Sequence, residues 1–213
     1  MFYFVKTPWW LKKLYPGCIW DIPAGDKVLY LTFDDGPHPQ VTPFVLDTLK
    51  QYNAKATFFC IGKNVAAHKD IYSNMLDDGH RAGNHTFHHL NGWKSTDEQY
   101  LRNILEAGKY IDSNLFRPPY GKITRFQVKL LTGIRNSPMN NNFNIIMWDV
   151  LSGDFDTKLT GANCTSFVTK HAQPGSIIVF HDSEKAFPRL KEALPNILEH
   201  FSKQGYRFEV IKT

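Results

Sequence analysis

Seven short runs of β-branched and aromatic residues recur along the chain, centred on 28–33, 56–61, 80–84, 115–117, 144–148, 176–181 and 206–211, with helical patterns between most of them. Such alternation calls for a parallel sheet with crossover helices, closed as a barrel or wound open, because parallel neighbours cannot be joined by a tight turn. Thr42 to Asn53 puts Phe44, Val45, Leu46 and Leu49 largely on one face, and Asn64 to Asp78 is similar before Gly79 stops it. Ser95-Thr-Asp-Glu98 reads as a capping box opening a helix whose apolar stripe is Leu101, Ile104, Leu105 and Ile111. Further helical patterns fit 122–132, 163–172 and 188–204, with a kink or restart at Pro195, and the polar stretch Asn136 to Asn144 reads as a loop.

The 213 residues, 42% of them hydrophobic, can bury one substantial core but are short for two. One domain is therefore expected over 26–213, with the aromatic-rich residues 1–25 packed on it. A formal charge of +5 without a dense run of one sign fits ordinary solvated surface, with a basic face for an anionic polymer as the alternative. Cys18, Cys60 and Cys164 are far apart and form no Cys-x-x-Cys, so buried thiols are expected rather than a disulfide framework or a thiolate zinc site. Lys6 and Pro8 break the apolar N-terminus before it reaches signal-peptide length, and no run approaches the ~18 apolar residues of a membrane span. This leaves the cytoplasm, or export without a recognisable leader, as the expectation, with no nucleic acid and no obligate protein partner.

In a parallel barrel, functional groups gather at the C-terminal ends of the strands. Here the strand runs end in Asp34-Asp35-Gly36-Pro37, in Asn84-His85-Thr86-Phe87-His88-His89, in Arg117-Pro-Pro-Tyr-Gly121, in Trp148-Asp149 and in His181-Asp182. All five clusters should converge on one face. His85 and His89 face the same way if a turn of helix follows the strand, and one carboxylate would complete a two-histidine, one-acid site of the kind that holds catalytic Zn²⁺. Taken singly, each cluster has a plainer reading, since an Asp pair also caps helices and histidines also sit on surfaces. Adjacent side chains diverge, so one Asp can bind the metal while the other faces water. Amide hydrolysis needs a polarised carbonyl, a deprotonated water and a protonated leaving amine, and a metal, an Asp and a His supply these in turn.

Thr32-Phe-Asp-Asp-Gly36, His85-Thr-Phe-His-His89, Arg117-Pro-Pro-Tyr-Gly121, Val150-Leu-Ser-Gly-Asp-Phe155 and Ile178-Val-Phe-His-Asp182 resemble, in order, the five motifs of the family 4 carbohydrate esterases, the NodB homology domain. The resemblance spans about residues 26–211. It implies an α/β fold, a distorted, incomplete (β/α)7 barrel in a single domain, and removal of acetyl groups from N-acetylated sugars. It further implies a divalent metal, Zn²⁺ before Co²⁺, held by Asp35, His85 and His89. Asp34 would be the general base, His181 the general acid, Arg117 the partner of the base and Asp154 that of the acid. Pro119 and Tyr120 would meet substrate, the backbone amide near Tyr120 assisting the oxyanion. Leu151 and Phe155 stand where the family commonly has an acid and a Trp, and Val179 where it has Leu; Phe155 and Val179 would line the pocket for the acetyl methyl.

Three other readings compete. A glycosidase sets its acids across a cleft and needs no histidine pair. An iron oxygenase shares the ligand set but leaves Asp34 and His181 without a task. A sugar-binding module with a decayed site would not retain every acid, base and ligand. The expected partner is an acetylated polysaccharide or oligosaccharide, whether chitin oligomers, peptidoglycan, other acetylated glucosamine polymers or O-acetylated xylan.

Overall fold

The computed structural model describes residues 3–133 and 142–212. In chain order the strands are β1 (Cys18–Ile19), β2 (Val28–Asp34), β3 (Ala56–Cys60), β4 (Arg81–Asn84), β5 (Leu115–Phe116), β6 (Asn144–Ile146), β7 (Val150–Leu151), β8 (Ile177–His181) and β9 (Arg207–Phe208). The helices are α1 (Trp9–Leu14), α2 (Val41–Gln51), α3 (Gly62–Ala67), α4 (Lys69–Asp77), α5 (Asp97–Gly108), α6 (Arg125–Thr132), α7 (Gly161–His171) and α8 (Phe187–Lys203). The strands pair in the order β1-β6-β5-β4-β3-β2-β8-β7, with β9 on β2, every ladder parallel. The sheet curls into an incomplete (β/α)7 barrel, as the alternation and the resemblance led one to expect. Every residue of β3 is buried, as befits a parallel strand covered on both faces.

Alternating side chains divide the core. Outward residues Phe33, Phe58 and Phe180 stack at centroid separations of 5.0 and 5.6 Å, under a layer that includes Val45 and Leu49 of α2 and Leu190 and Leu194 of α8. Inward residues Phe59, Leu115, Ile146 and Ile177 cluster with Ile211, whose amide donates to Thr57 Oγ1 at 3.0 Å. Phe59 can lie flat there only because residue 83 has no side chain: a Cβ on Gly83 would come within 2.5 Å of its ring. Lys6 and Lys12 both reach the buried Asp149, at 2.5 and 2.8 Å, and Val5 and Thr7 bond the backbone of Leu151 and Asp149.

Several local expectations need correction. The capping box is built one residue later, on Thr96 and Gln99, because the Ser95 hydroxyl donates to the Asn91 carbonyl instead. The buried face of α5 is Tyr100, Asn103, Ile104 and Ala107, while Leu105 is exposed. The stretch from Asn64 to Asp78 is two helices that meet at His68. Pro195 neither ends nor restarts α8, which runs unbroken through it. The expected loop at Asn136–Asn144 falls largely on 134–141, outside the described residues, and Asn144 already begins β6.

Candidate active site

Asp34 is the last residue of β2, and Asp35 leaves the strand with φ 85, so the neighbouring carboxylates turn to different partners. Asp34 Oδ1 accepts from Arg117 Nη1 at 2.7 Å. Asp35 Oδ1 lies 3.2 Å from His89 Nε2 and 3.8 Å from His85 Nε2. The turn between β2 and α2 is held by Asp182, which accepts from the Gly36 amide at 2.9 Å and the Thr42 hydroxyl at 2.6 Å. Gly36 is required here, since a Cβ would stand 2.0 Å from Asp182 Oδ2.

The histidines meet without the expected turn of helix. Thr86 and His89 have φ of 63 and 56, a left-handed geometry that is strained for a β-branched threonine. The amides a helix would direct along its axis are taken by side chains: Asn84 Oδ1 accepts from Thr86, Asn103 Oδ1 from Phe87 and His88, and Thr86 Oγ1 from Leu90. The result brings the His85 and His89 rings to 5.0 Å and leaves His88 exposed. Among the described residues, the non-glycine positions with positive φ are Asp35, Asn53, Thr86, His89 and Tyr120, and all but Asn53 are here.

Arg117 is completely buried with every guanidinium nitrogen engaged: Nε donates to the Ile146 carbonyl, Nη2 to that of Met147, and Nη1 to Thr32 Oγ1 and Asp34. Its guanidinium lies 4.1 Å from the Phe59 ring centroid. On the other flank, His181 ends β8 with Nδ1 2.7 Å from Asp154 Oδ1, while Asp154 Oδ2 accepts the His181 amide. The Asp154 carbonyl is in turn held by Arg189. The Phe155 ring stands 5.4 Å from that of His181, and Val179, two residues before His181 on the strand, points the same way. The turn Pro119–Gly121 sets Tyr120, 57% exposed, edge-on to His89 at 4.5 Å.

Charge distribution separates these groups further. Burial pushes the His85 imidazolium down to a pKa of about 4, so the ring is neutral. Its Nδ1 lies 2.8 Å from the Arg117 carbonyl and, as the donor there, leaves the Nε2 lone pair toward Asp35. For Asp35 burial acts upward but is outweighed by His89, His181 and His85, which hold the carboxylate ionised. For His181 burial acts downward, and Asp154 overrides it to raise the pKa to about 9. Burial raises the Asp182 carboxyl to about 7, with Thr42 opposing.

The donor atoms of Asp35, His85 and His89 all lie within 4.8 Å of one another. Asp35 Oδ1 is buried without a hydrogen-bond partner, as expected of a lone pair meant for a cation. Two neutralisable nitrogens and a carboxylate are a donor set for a divalent transition metal, so these residues fit one.

Of the five expected clusters, Trp148-Asp149 does not join the site as a unit. The Asp149 amide bonds Ile177 and its carboxylate Ser176, at the start of β8, roughly 13 Å of strand from His181. Its charge ties down Lys6 and Lys12 instead. Sequence reasoning did not find the loop-holding parts of Asn84, Asn103 or Thr42. The available signal was slight, a polar amide at the end of a strand run for Asn84 and none for Asn103.

A family model described as polysaccharide deacetylase matches residues 21–134. A peptidoglycan-N-acetylglucosamine deacetylase of Bacillus cereus is 34% identical over 198 residues, covering 90% of each chain. A chitooligosaccharide deacetylase of Azorhizobium caulinodans is 34% identical over 76% of each. Among solved structures, a peptidoglycan N-acetylglucosamine deacetylase in complex with 4-naphthalen-1-yl-N-oxidanyl-benzamide superposes with a TM-score of 0.84 at 30% identity, covering 96% of this chain and 95% of that one.

Proposed function

Because the chain belongs to the polysaccharide deacetylase family, we propose that it hydrolyses the acetamide of N-acetylglucosamine units in peptidoglycan or chitin oligomers. The observation that carries the reading is the different surroundings of the adjacent acids: Asp34 pairs with buried Arg117, whereas Asp35 turns an unsatisfied oxygen to two imidazoles.

In this reading Asp35, His85 and His89 hold a divalent cation, Zn²⁺ or alternatively Co²⁺. When bound, the cation supplies Lewis-acid polarisation of the acetyl carbonyl and acidifies water. Asp34 takes a proton from the attacking water, and Arg117, bonded to its Oδ1, fixes its direction. His181 gives a proton to the departing amine as the carbon–nitrogen bond breaks, releasing acetate and a free amino sugar. Asp154 holds His181 protonated until that step. In this reading the backbone amide at Tyr120 donates to the developing oxyanion. Pro119 and Tyr120 border the substrate, and Phe155 and Val179 enclose the acetyl methyl. The test is to incubate the zinc-loaded protein with chitin oligomers, peptidoglycan and acetylated xylan and to measure acetate. Release from an N-acetylated glycan supports the reading; none from any member of the panel refutes it.

A further inference from the structure

We propose that Tyr3 is a positioning residue that limits the size of the acyl group by holding Phe155 against His181; this rests on the deacetylase reading above. The N-terminal segment is fixed in register beside β7. Leu151 donates to the Val5 carbonyl at 2.8 Å, Thr7 to that of Asp149 at 2.8 Å, and Lys6 pairs antiparallel with Val150. Lys6 also reaches the His171 carbonyl at 3.1 Å. Because the pairing is antiparallel, the chain preceding Val5 lies alongside the residues that follow β7, where Asp154 and Phe155 stand.

Tyr3 grips that segment at two points. Its ring lies edge-on to Phe155 at 5.2 Å, and its hydroxyl donates to Asp156 Oδ2 at 3.1 Å. Burial and then Asp156 raise the phenol to a pKa of about 12, so it stays a donor throughout the working range. The Phe155 ring is therefore in edge-on contact with both Tyr3, at 5.2 Å, and His181, at 5.4 Å. An acyl group whose amine leaves toward His181 is then bounded by a ring whose position Tyr3 helps to set. Without Tyr3 the ring gains room to move outward, and a longer acyl chain fits.

The test uses the zinc-loaded full chain with chitotetraose carrying N-acetyl or N-propionyl groups, and reads kcat and KM for each. One methylene in a closed apolar pocket changes discrimination by roughly tenfold or more. Tyr3→Ala should lower the acetyl-over-propionyl preference by about that factor with zinc content unchanged, while Tyr3→Phe, which keeps the ring, retains most of it. An unchanged preference in Tyr3→Ala, or an equal loss on both substrates, overturns the proposal. If Tyr3→Ala does not fold, Tyr3→Leu and Asp156→Ala are judged by the same ratio. Wild-type protein that releases neither acid would instead overturn the deacetylase reading and this proposal with it.

Discussion

Arg117 carries a charge at zero exposure because each nitrogen of its guanidinium fork meets an acceptor, the four being two main-chain carbonyls, a hydroxyl and Asp34. Arg117→Met should therefore cost about 3–5 kcal/mol by leaving Asp34 buried without its cation, measured by urea denaturation. Arg117→Lys should not restore turnover, since an ammonium cannot serve both carbonyls and the carboxylate. A second prediction concerns proton donation. Asp154 is what raises His181 to about 9, so the imidazolium is populated below that pH and lost above it. Asp154→Asn should move the basic limb of the pH–rate profile to lower pH by about one unit or more; an unmoved limb would detach His181 from that ionisation. The groups placed in the cluster, Asp34, Asp35, His85, His89, Arg117 and His181, were legible because each ends or follows a recognisable strand run. The loop-holding parts of Asn84 and Asn103 were not, because they act on backbone amides that become neighbours only once the loops have folded.

The parallel strands hold the cluster only as firmly as they meet one another, and two contacts between β3 and β4 show how. Gly83 lets the Phe59 ring lie flat beneath Arg117, so Gly83→Ala, whose Cβ would fall 2.5 Å from that ring, should cost about 1–3 kcal/mol. At the other end of the same pair, the Ala56 amide donates to His80 Nδ1, which must be unprotonated to accept. Burial lowers the His80 pKa from 6.5 to about 4, so between those values the unfolded chain binds the extra proton and the fold loses stability as pH falls. The loss should be on the order of 2–3 kcal/mol by pH 4, relative to pH 7. His80→Asn should flatten that part of the curve, and an unaltered slope would place the acid sensitivity elsewhere. Periodicity made the long strands and helices readable. It could not show β1 and β7, two residues each, which exist through their partners rather than through any pattern of their own. It also allowed a restart at Pro195 that α8 does not make, its buried face outweighing the missing amide.

On the scale of the molecule, the fold and the proposed cation site are separable, because the barrel has its own aromatic and aliphatic core beneath the cluster. Chelation should accordingly abolish turnover while lowering the thermal midpoint only modestly, and added Zn²⁺ or Co²⁺ should restore activity; unfolding on metal removal would make the site structural. The family and the barrel were legible from spaced motifs, whereas the route of residues 3–7 along β7 was not, since it rests on backbone pairing with β7 and on Lys6 reaching Asp149, whose position at a strand end suggested the cluster instead. The central claim is that neighbouring acids divide the work, and it is tested most directly by measuring bound zinc and acetate release together in Asp35→Ala and Asp34→Ala. Asp35→Ala, like His85→Ala and His89→Ala, should lose zinc and activity in parallel. Asp34→Ala, like His181→Ala, should keep zinc and lose turnover by roughly two to four orders of magnitude. Zinc retained in Asp35→Ala but lost in Asp34→Ala would contradict the account.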